Sequence, residues 1–352
     1  MKVLVTGHNG YIGSVMVPVL QAAGHSVVGL DTFYFEDCLL GGETQGVSAI
    51  RKDLRDVELT DLQGFEAVVH LAALCNDPIG DLNSDWTHDI NYEASVRLAR
   101  MAREAGVRRF LYASSCSMYG AAGGGDLLSE EAPLRPLTAY ALSKVRTEEG
   151  IAPLADSDFS PVFMRNATAY GFSSHLRADV VLNNLVCWAH TTGKIRIMSD
   201  GTPWRPIVHV QDISRAFAVA LSAPRAAIHN QAFNVGADAE NYQVSELAEI
   251  VRGTVPGCTV EYAESGGPDP RSYRVSFQKL SRTFPEFKPH WNASFGAKEL
   301  YSVLQDCGIS LQDFQGRRYI RLTQLKHLIE GGYLDGTLRW SRDTTRRRSA
   351  GQ

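Results

Sequence analysis

The chain has no run of apolar residues approaching the ~20 needed to span a bilayer, and no Cys-x-x-Cys pair among its six cysteines. The first absence argues against membrane insertion. The second, with Cys38, Cys75, Cys116, Cys187, Cys258 and Cys307 scattered and no Cys/His spacing, argues against a structural metal or a disulfide framework. Most of these thiols are expected to be buried. A surplus of one charge is also missing: the net charge is −4 and Lys and Arg are spread along the chain, so no electrostatic footprint for nucleic acid is visible. The basic run Arg346-Arg347-Arg348 falls in a polar tail, 341–352, expected to be disordered. No small-residue cleavage site follows Met1-Lys2; the chain goes straight into Val3-Leu4-Val5, which reads as a first strand and implies a cytoplasmic location. Tandem periods and linkers rich in Pro, Gly or Ser are absent as well.

What is present is an ordinary globular composition, 44% hydrophobic and 21% charged over 352 residues, enough for a large α/β unit with a second, smaller lobe. Short β-rich runs at Val3–Thr6, Ser26–Asp31, Ser48–Asp53, Ala67–Ala73, Arg108–Ser115 and Phe159–Asn166 alternate with helical stretches starting near Tyr11, Trp86 and Ala139. This predicts a doubly wound parallel (Rossmann) sheet over 1–166. Beyond Tyr170 the alternation loosens. Val180–Thr192, Val210–Ser222 and Val244–Val255 read as helices, Ile195–Met198 and Phe233–Gly236 as strands. They predict a smaller α/β substrate lobe over 167–340, some of its strands returning to the main sheet, set over the carboxyl ends of the strands where open α/β sheets bind ligands.

The first strand runs into Gly7-His-Asn9-Gly10-Tyr11-Ile12-Gly13, a Gly-x-x-Gly-x-x-Gly turn opening a helix. Glycines there allow a tight turn and close backbone approach to a pyrophosphate, while the helix N-terminus offers free N–H groups to the anion. Asp31 ends the second strand, where a carboxylate accepts from two ribose hydroxyls and repels a 2′-phosphate, so NAD is expected rather than NADP. The plain alternative is a glycine-rich turn with Asp31 as a solvated strand end. Asp53-Leu54 fits an adenine edge or a simple turn, and Leu71-Ala72-Ala73 would let a cofactor lie against backbone.

Tyr140 and Lys144 stand at i, i+4 near the start of a helix, on one face. A phenol titrates near 10 unless positive charge favours the phenolate; an ammonium at ~4 Å is worth about 4 kcal/mol at an effective dielectric near 20, roughly three pK units. With oxidised nicotinamide adding charge, Tyr140 is expected to titrate near neutrality. Tyr-x-x-x-Lys alone occurs by chance in many helices. The preceding run Ser114-Ser115-Cys116-Ser117-Met118-Tyr119-Gly120, however, delivers hydroxyls to the carboxyl end of the sheet, and Ser115 can share a substrate hydroxyl proton.

With the glycine fingerprint, Ser-Ser-x-x-x-Tyr-Gly and Tyr-x-x-x-Lys together, residues 1 to about 280 resemble the extended short-chain dehydrogenases that act on nucleotide sugars. The resemblance implies that Ser115 orients substrate, Tyr140 is the general acid/base, and Lys144 lowers its pKa and holds the nicotinamide ribose. It also implies a homodimer, usually through two helices packed into a four-helix bundle. The dehydratases and decarboxylases of that class carry an acidic residue before the Tyr-Gly; Cys116 and Ser117 stand here, so hydride exchange at C4 is the better reading. Cys116 is either a packed thiol or an acid/base of the 3,5-epimerase kind, one place out of register.

In the second half, Arg165-Asn166-Ala-Thr168-Ala-Tyr170-Gly171 resembles the family's Arg-x-x-Asn-x-Tyr-Gly, with Thr168 where the asparagine contacts substrate and Asn166 its possible substitute. By the same resemblance Asn183 meets the diphosphate, while Arg205 and Arg271 clamp phosphate with bidentate donors. Either arginine could instead be a surface residue. Trp204 and Tyr242 read as core; Lys52, His88 and Phe33–Asp37 read as solvated or lid residues. The expectation is an NAD-dependent C4 epimerase of a nucleoside-diphosphate sugar, working through a keto intermediate. Rival readings are a 4-ketoreductase, a 3,5-epimerase, and a non-catalytic dinucleotide sensor.

Overall fold

The computed structural model describes residues 1–41, 46–75, 77–121, 125–263 and 269–341. The expected tail therefore lies, apart from Ser341, outside the described residues. Seven strands form the main sheet: β1 (Lys2–Thr6), β2 (Ser26–Asp31), β3 (Ala49–Arg51), β4 (Ala67–His70), β5 (Arg109–Ser115), β6 (Ser160–Asn166) and β7 (Gln231–Val235). All are parallel, in the order β7-β6-β5-β4-β1-β2-β3. The chain moves outward on one side of β1, then returns to its other side with β4. That reversal splays the loops after β1 and β4 apart and opens a cleft at their carboxyl ends.

Parallel strands are covered on both faces, so they read as near-continuous apolar runs. Within β1, Val3 and Val5 point into one core with Met16 and Leu20, whereas Leu4 joins Val68, Phe110 and Leu98 in the other. The two-residue period decides this partition. Helices α1 (Gly13–Ala22) and α5 (Val210–Ser222) cover the first face, α2 (Ala94–Glu104) and α3 (Ala139–Ile151) the second. The Thr138 hydroxyl accepts from the Ala141 N–H at 3.1 Å, an N-cap that fixes where α3 starts.

Two strands end earlier than expected, for reasons of local chemistry. The Asp53 carboxylate accepts from the Arg55 N–H at 2.8 Å and turns the chain, so the third strand stops at Arg51. After His70 the Ala72 N–H turns to the Thr6 hydroxyl at 3.3 Å, leaving Leu71–Ala73 as loop. The helix expected near Trp86 is interrupted: a π-helical turn at His88–Glu93 precedes α2. Such an extra residue per turn is often kept where a function needs it.

Helices α4 (Val181–Thr192), α6 (Val244–Thr254) and α7 (Ala293–Asp306) share a further apolar core with Ile195, Ile197 and Ile207. A three-stranded sheet, Thr168–Tyr170 with Trp204–His209 and Asn241–Gln243, is interleaved with these helices along the chain. A last helix, α8 (Arg321–Glu330), follows. No helix among the described residues is long and apolar enough to cross a membrane.

Candidate active site

The glycine turn is held by contacts that exclude side chains. Gly7 has φ +72°, and a Cβ there would sit 2.7 Å from the Ala72 nitrogen. A Cβ at Gly13 would lie 2.2 Å from the Gly7 carbonyl oxygen. No side chain caps the N-terminus of α1 and no acid stands in its first turn, which leaves its positive end for an anion. The Asp31 carboxylate accepts from the N–H groups of Asn9 (3.0 Å) and Phe33 (2.8 Å), which positions it beside the turn; burial pushes its pKa up, against the pull of those bonds. Asp53 is tied to Arg55 at 2.7 Å.

Every residue expected at the cofactor lines one cavity of about 900 Å³, from Gly7 and Asn9 through Asp31, Asp53 and Leu54 to Leu71, Ala73 and Lys144. Ser115, Ser117, Asn166, Thr168, Arg205 and Arg271 line the same cavity. The Ser117 hydroxyl and the Asn166 carbonyl oxygen are buried in this wall without partners among the described residues. A glycine cradle, an uncapped helix end and polar atoms awaiting partners fit a dinucleotide and a polar substrate.

At the centre, β5 supplies Ser115 and α3 supplies Tyr140 and Lys144. The Lys144 side chain is buried, its Nζ donating to the Ala113 carbonyl oxygen at 2.6 Å and lying 5.5 Å from the Tyr140 ring centroid. Burial pushes this ammonium down to about 8, with the charges of Cys75 and Glu148 opposing. The expectation of a near-neutral phenol counts the charge of oxidised nicotinamide; in the chain by itself the balance runs the other way. Burial pushes the half-buried Tyr140 phenol well above its ordinary value, while a hydrogen bond with Ser115 and the charge of Arg177 pull the other way. Lys144 spends its short bond on a carbonyl oxygen rather than on the phenol.

Cys116 and Asn183, both candidates for contact with substrate, are turned away from the cavity. After Ser115 a short 3-10 turn, Cys116–Tyr119, buries the Cys116 thiol, which donates to the Arg165 carbonyl oxygen at 3.1 Å; it is absent from the cavity wall and packed as a core thiol. Burial pushes that thiol upward, the wrong direction for an acid/base at neutral pH. Asn183 is fully buried, donating to the Tyr11 hydroxyl and the Arg177 carbonyl oxygen at 2.9 Å and accepting from the Gly171 N–H at 3.0 Å. It braces the loop, and its neighbour Asn184 lines the cavity instead. Arg205 and Arg271 do converge, both on Asp269 (2.7 and 2.8 Å), and Arg271 also reaches Asp77 at 2.6 Å.

Three contributors were not foreseen. Arg177, on the loop before α4, pairs with Asp179 at 2.8 Å and approaches the Cys75 sulfur at 3.3 Å while lining the cavity. Asn91, carried by the π-helical turn, exchanges two bonds with the Leu74 backbone (2.8 and 3.0 Å), fixing the loop after β4. The third is Arg321 of α8. Nothing in the local sequence around Arg177 or Arg321 sets them apart from surface arginines; an Asn in an amphipathic helix is the only mild signal for Asn91.

Residues 3–236 match the model of the NAD dependent epimerase/dehydratase family. The UDP-glucose 4-epimerase of Corynebacterium glutamicum is 30% identical over 305 residues, covering 80% of this chain and 89% of the relative. That of Mycolicibacterium smegmatis is 33% identical over 267 residues, covering 72% and 83%. Among solved structures, MoeE5 in complex with UDP-glucuronic acid and NAD superposes with a TM-score of 0.73 at 28% identity, over 87% of this chain and 99% of that one. With the glycine cradle, the Ser115–Tyr140–Lys144 centre and these matches in agreement, the chain belongs to the NAD-dependent epimerase/dehydratase family.

Proposed function

We propose that the protein is an NAD-dependent epimerase acting at C4 of a nucleoside-diphosphate sugar through a transient keto sugar. The observation that carries this reading is the meeting of Ser115, Tyr140 and Lys144 with the glycine turn around one cavity. Bound NAD supplies a hydride acceptor and donor for the sugar carbon. Tyr140 removes the proton of the C4 hydroxyl and later returns it, Ser115 holds that hydroxyl by hydrogen bonding, and the Lys144 charge favours the phenolate. Arg205 and Arg271 exchange their carboxylate partners for the diphosphate and anchor it while the sugar ring turns. The cavity, about 900 Å³ and at the upper end of ordinary ligand sites, is lined by the residues expected on both the cofactor and the substrate side. The lack of a carboxylate in Cys116–Met118 favours hydride exchange over elimination.

The curated relatives named above carry the name UDP-glucose 4-epimerase, so UDP sugars are the class to assay first. Incubation with UDP-hexoses and with thymidine, guanosine and cytidine diphosphate sugars, read by proton NMR, is expected to give C4-inverted product with no net change in NADH. Consumption of NADH or NADPH with a nucleoside-diphosphate 4-keto sugar, and no C4 inversion of the hexoses, makes it a 4-ketoreductase and ends the epimerase reading. A cytoplasmic homodimer accompanies the proposal. Outward positions of α2 and α3 are Arg97, Arg100, Arg103, Glu104, Leu142, Arg146 and Glu149, so a dimer through these helices rests on a largely charged surface; light scattering decides between dimer and monomer.

A further inference from the structure

Residues 317–341 lie beyond the stretch matched by the family model, yet they enter the cleft. Ile320, Arg321 and Leu322 line the same cavity as Gly10, Asp31 and Asp53. The segment is fastened to the rim at several points. Trp340 Nε1 donates to the Thr32 carbonyl oxygen at 2.7 Å, Trp86 Nε1 to that of Gly336 at 2.9 Å, and Arg55 to that of Thr337 at 2.7 Å. The Tyr34 hydroxyl donates to the Leu338 carbonyl oxygen. Leu325, Leu328, Leu334 and Leu338 share a small apolar core with Tyr34 and Leu74.

Arg321 is only 4% exposed. Its Nη2 donates to the His175 carbonyl oxygen at 2.8 Å and its guanidinium lies 4.3 Å over the Phe35 ring, while Nη1 has no partner among the described residues. The His175 ring bonds Asn9 of the glycine turn at 2.9 Å, so the cation stands one residue's reach from the pyrophosphate cradle. Asp179 attracts Arg321 but is already held by Arg177, which repels it. A buried guanidinium with an unused N–H is costly until an anion meets it.

We propose that Arg321 completes the binding site for the dinucleotide's diphosphate and that residues 317–341 form a strap that retains the cofactor between the two half-reactions. This rests on the epimerase reading, for which a cofactor that stays bound returns its hydride to the sugar that supplied it. It assigns to the last part of the chain a role in cofactor retention rather than in packing alone.

The test uses the full chain, with ADP, adenosine and NADH as probes followed by calorimetry and NADH fluorescence. Arg321→Gln is expected to weaken ADP about 10- to 100-fold, the worth of one charge-assisted hydrogen bond, and to change adenosine less than about twofold. Arg321→Lys, which keeps the charge, is expected to recover most of the ADP affinity and serves where the Gln variant fails to fold. Trp340→Ala, remote from the phosphates, is expected to release NADH about tenfold faster in a chase with excess NAD. Equal losses of ADP and adenosine, or no loss of either, overturn the diphosphate role. Unchanged NADH release in Trp340→Ala overturns the strap. If the wild-type chain binds neither ADP nor NADH, the proposed function falls and takes this inference with it; if it binds both and the variants behave as wild type, only the inference falls.

Discussion

The ammonium of Lys144 donates to the main-chain carbonyl oxygen of Ala113 at 2.6 Å, hanging the helix that carries Tyr140 from the strand that carries Ser115. Lys144 thus sets the distance between the two hydroxyls as well as the local charge. Tyr140→Phe is expected to lower kcat by about 10³-fold or more and Ser115→Ala by about 10²-fold, within the range of positioned acid–base groups. Lys144→Met should lose at least as much as Ser115→Ala, because it removes both charge and strut. Single-turnover rates check this, and a Tyr140→Phe enzyme within threefold of wild type refutes the assignment.

Arg177 and Asp179 form a nearly buried pair, with side chains 11% and 12% exposed. Breaking it from one side leaves a desolvated charge: Asp179→Leu is expected to cost about 3 kcal/mol, and the double change Arg177→Met with Asp179→Leu to recover most of that. The Arg177 charge also pulls the Tyr140 phenol downward. Arg177→Met should therefore raise the pH at which kcat/KM gains its phenolate. Denaturant titrations and a pH–rate profile give the two readouts, and a profile that does not move argues against any influence of Arg177 on Tyr140.

Two buried histidines tie stability to acid. His70 lies between Thr6 (2.6 Å) and Ser95 (2.8 Å) and feels the Lys144 charge; burial pushes it down to about 3. His175, beside Asn9 and Arg321, is pushed down to about 4 by burial and then by Arg321. Unfolded histidine titrates near 6.5, so below that pH the unfolded chain binds protons that the folded chain refuses. Their stabilising contribution is complete above pH 6.5 and is lost as pH falls towards 4 for His175 and towards 3 for His70, by up to about 1.4 kcal/mol per pH unit for each histidine. Urea midpoints at pH 7 and pH 4.5 should differ accordingly; equal midpoints would contradict neutral burial.

Cys116→Ala is expected to leave kcat within about twofold and to cost roughly 1 kcal/mol through the small cavity it creates. Asn183→Ala should destabilise by about 1–3 kcal/mol by orphaning the Gly171 N–H and removing the donor to the Tyr11 hydroxyl. Asn184→Ala, exposed to the cavity, should act on substrate KM instead. Solvent deuterium appearing at C3 or C5 of the product, and lost with Cys116, would restore the thiol as an acid/base.

Where function sits on regular geometry, the sequence carried it. The glycine spacing, Asp31 at a strand end and Tyr140 one helical turn before Lys144 are local patterns, and each lands on the cavity wall. Errors arose where a single backbone rotation decides direction. One step along α4, about 100°, exchanges Asn183 for Asn184, whereas at Cys116 the 3-10 turn after Ser115 selects the packed-thiol reading and leaves Ser117 outward. Arg177 and Arg321 were illegible for another reason: their roles come from packing between segments far apart in the chain, which no local spacing records. For Tyr140 the chain by itself adds desolvation, which pushes the phenol up and which a helical-wheel argument omits.

Strand β6 is buried along all seven residues, and its outer neighbour β7 arrives only after residues 167–230 have been made. On a ribosome adding ~5–20 residues per second, the nascent chain holds an unpaired, water-averse flank open for several seconds before the segment that covers it emerges. Proteolysis or truncation inside 167–230 would therefore release an amino-terminal fragment ready to pair with copies of itself, and refolding of the whole chain should be paced by the docking of that distant edge.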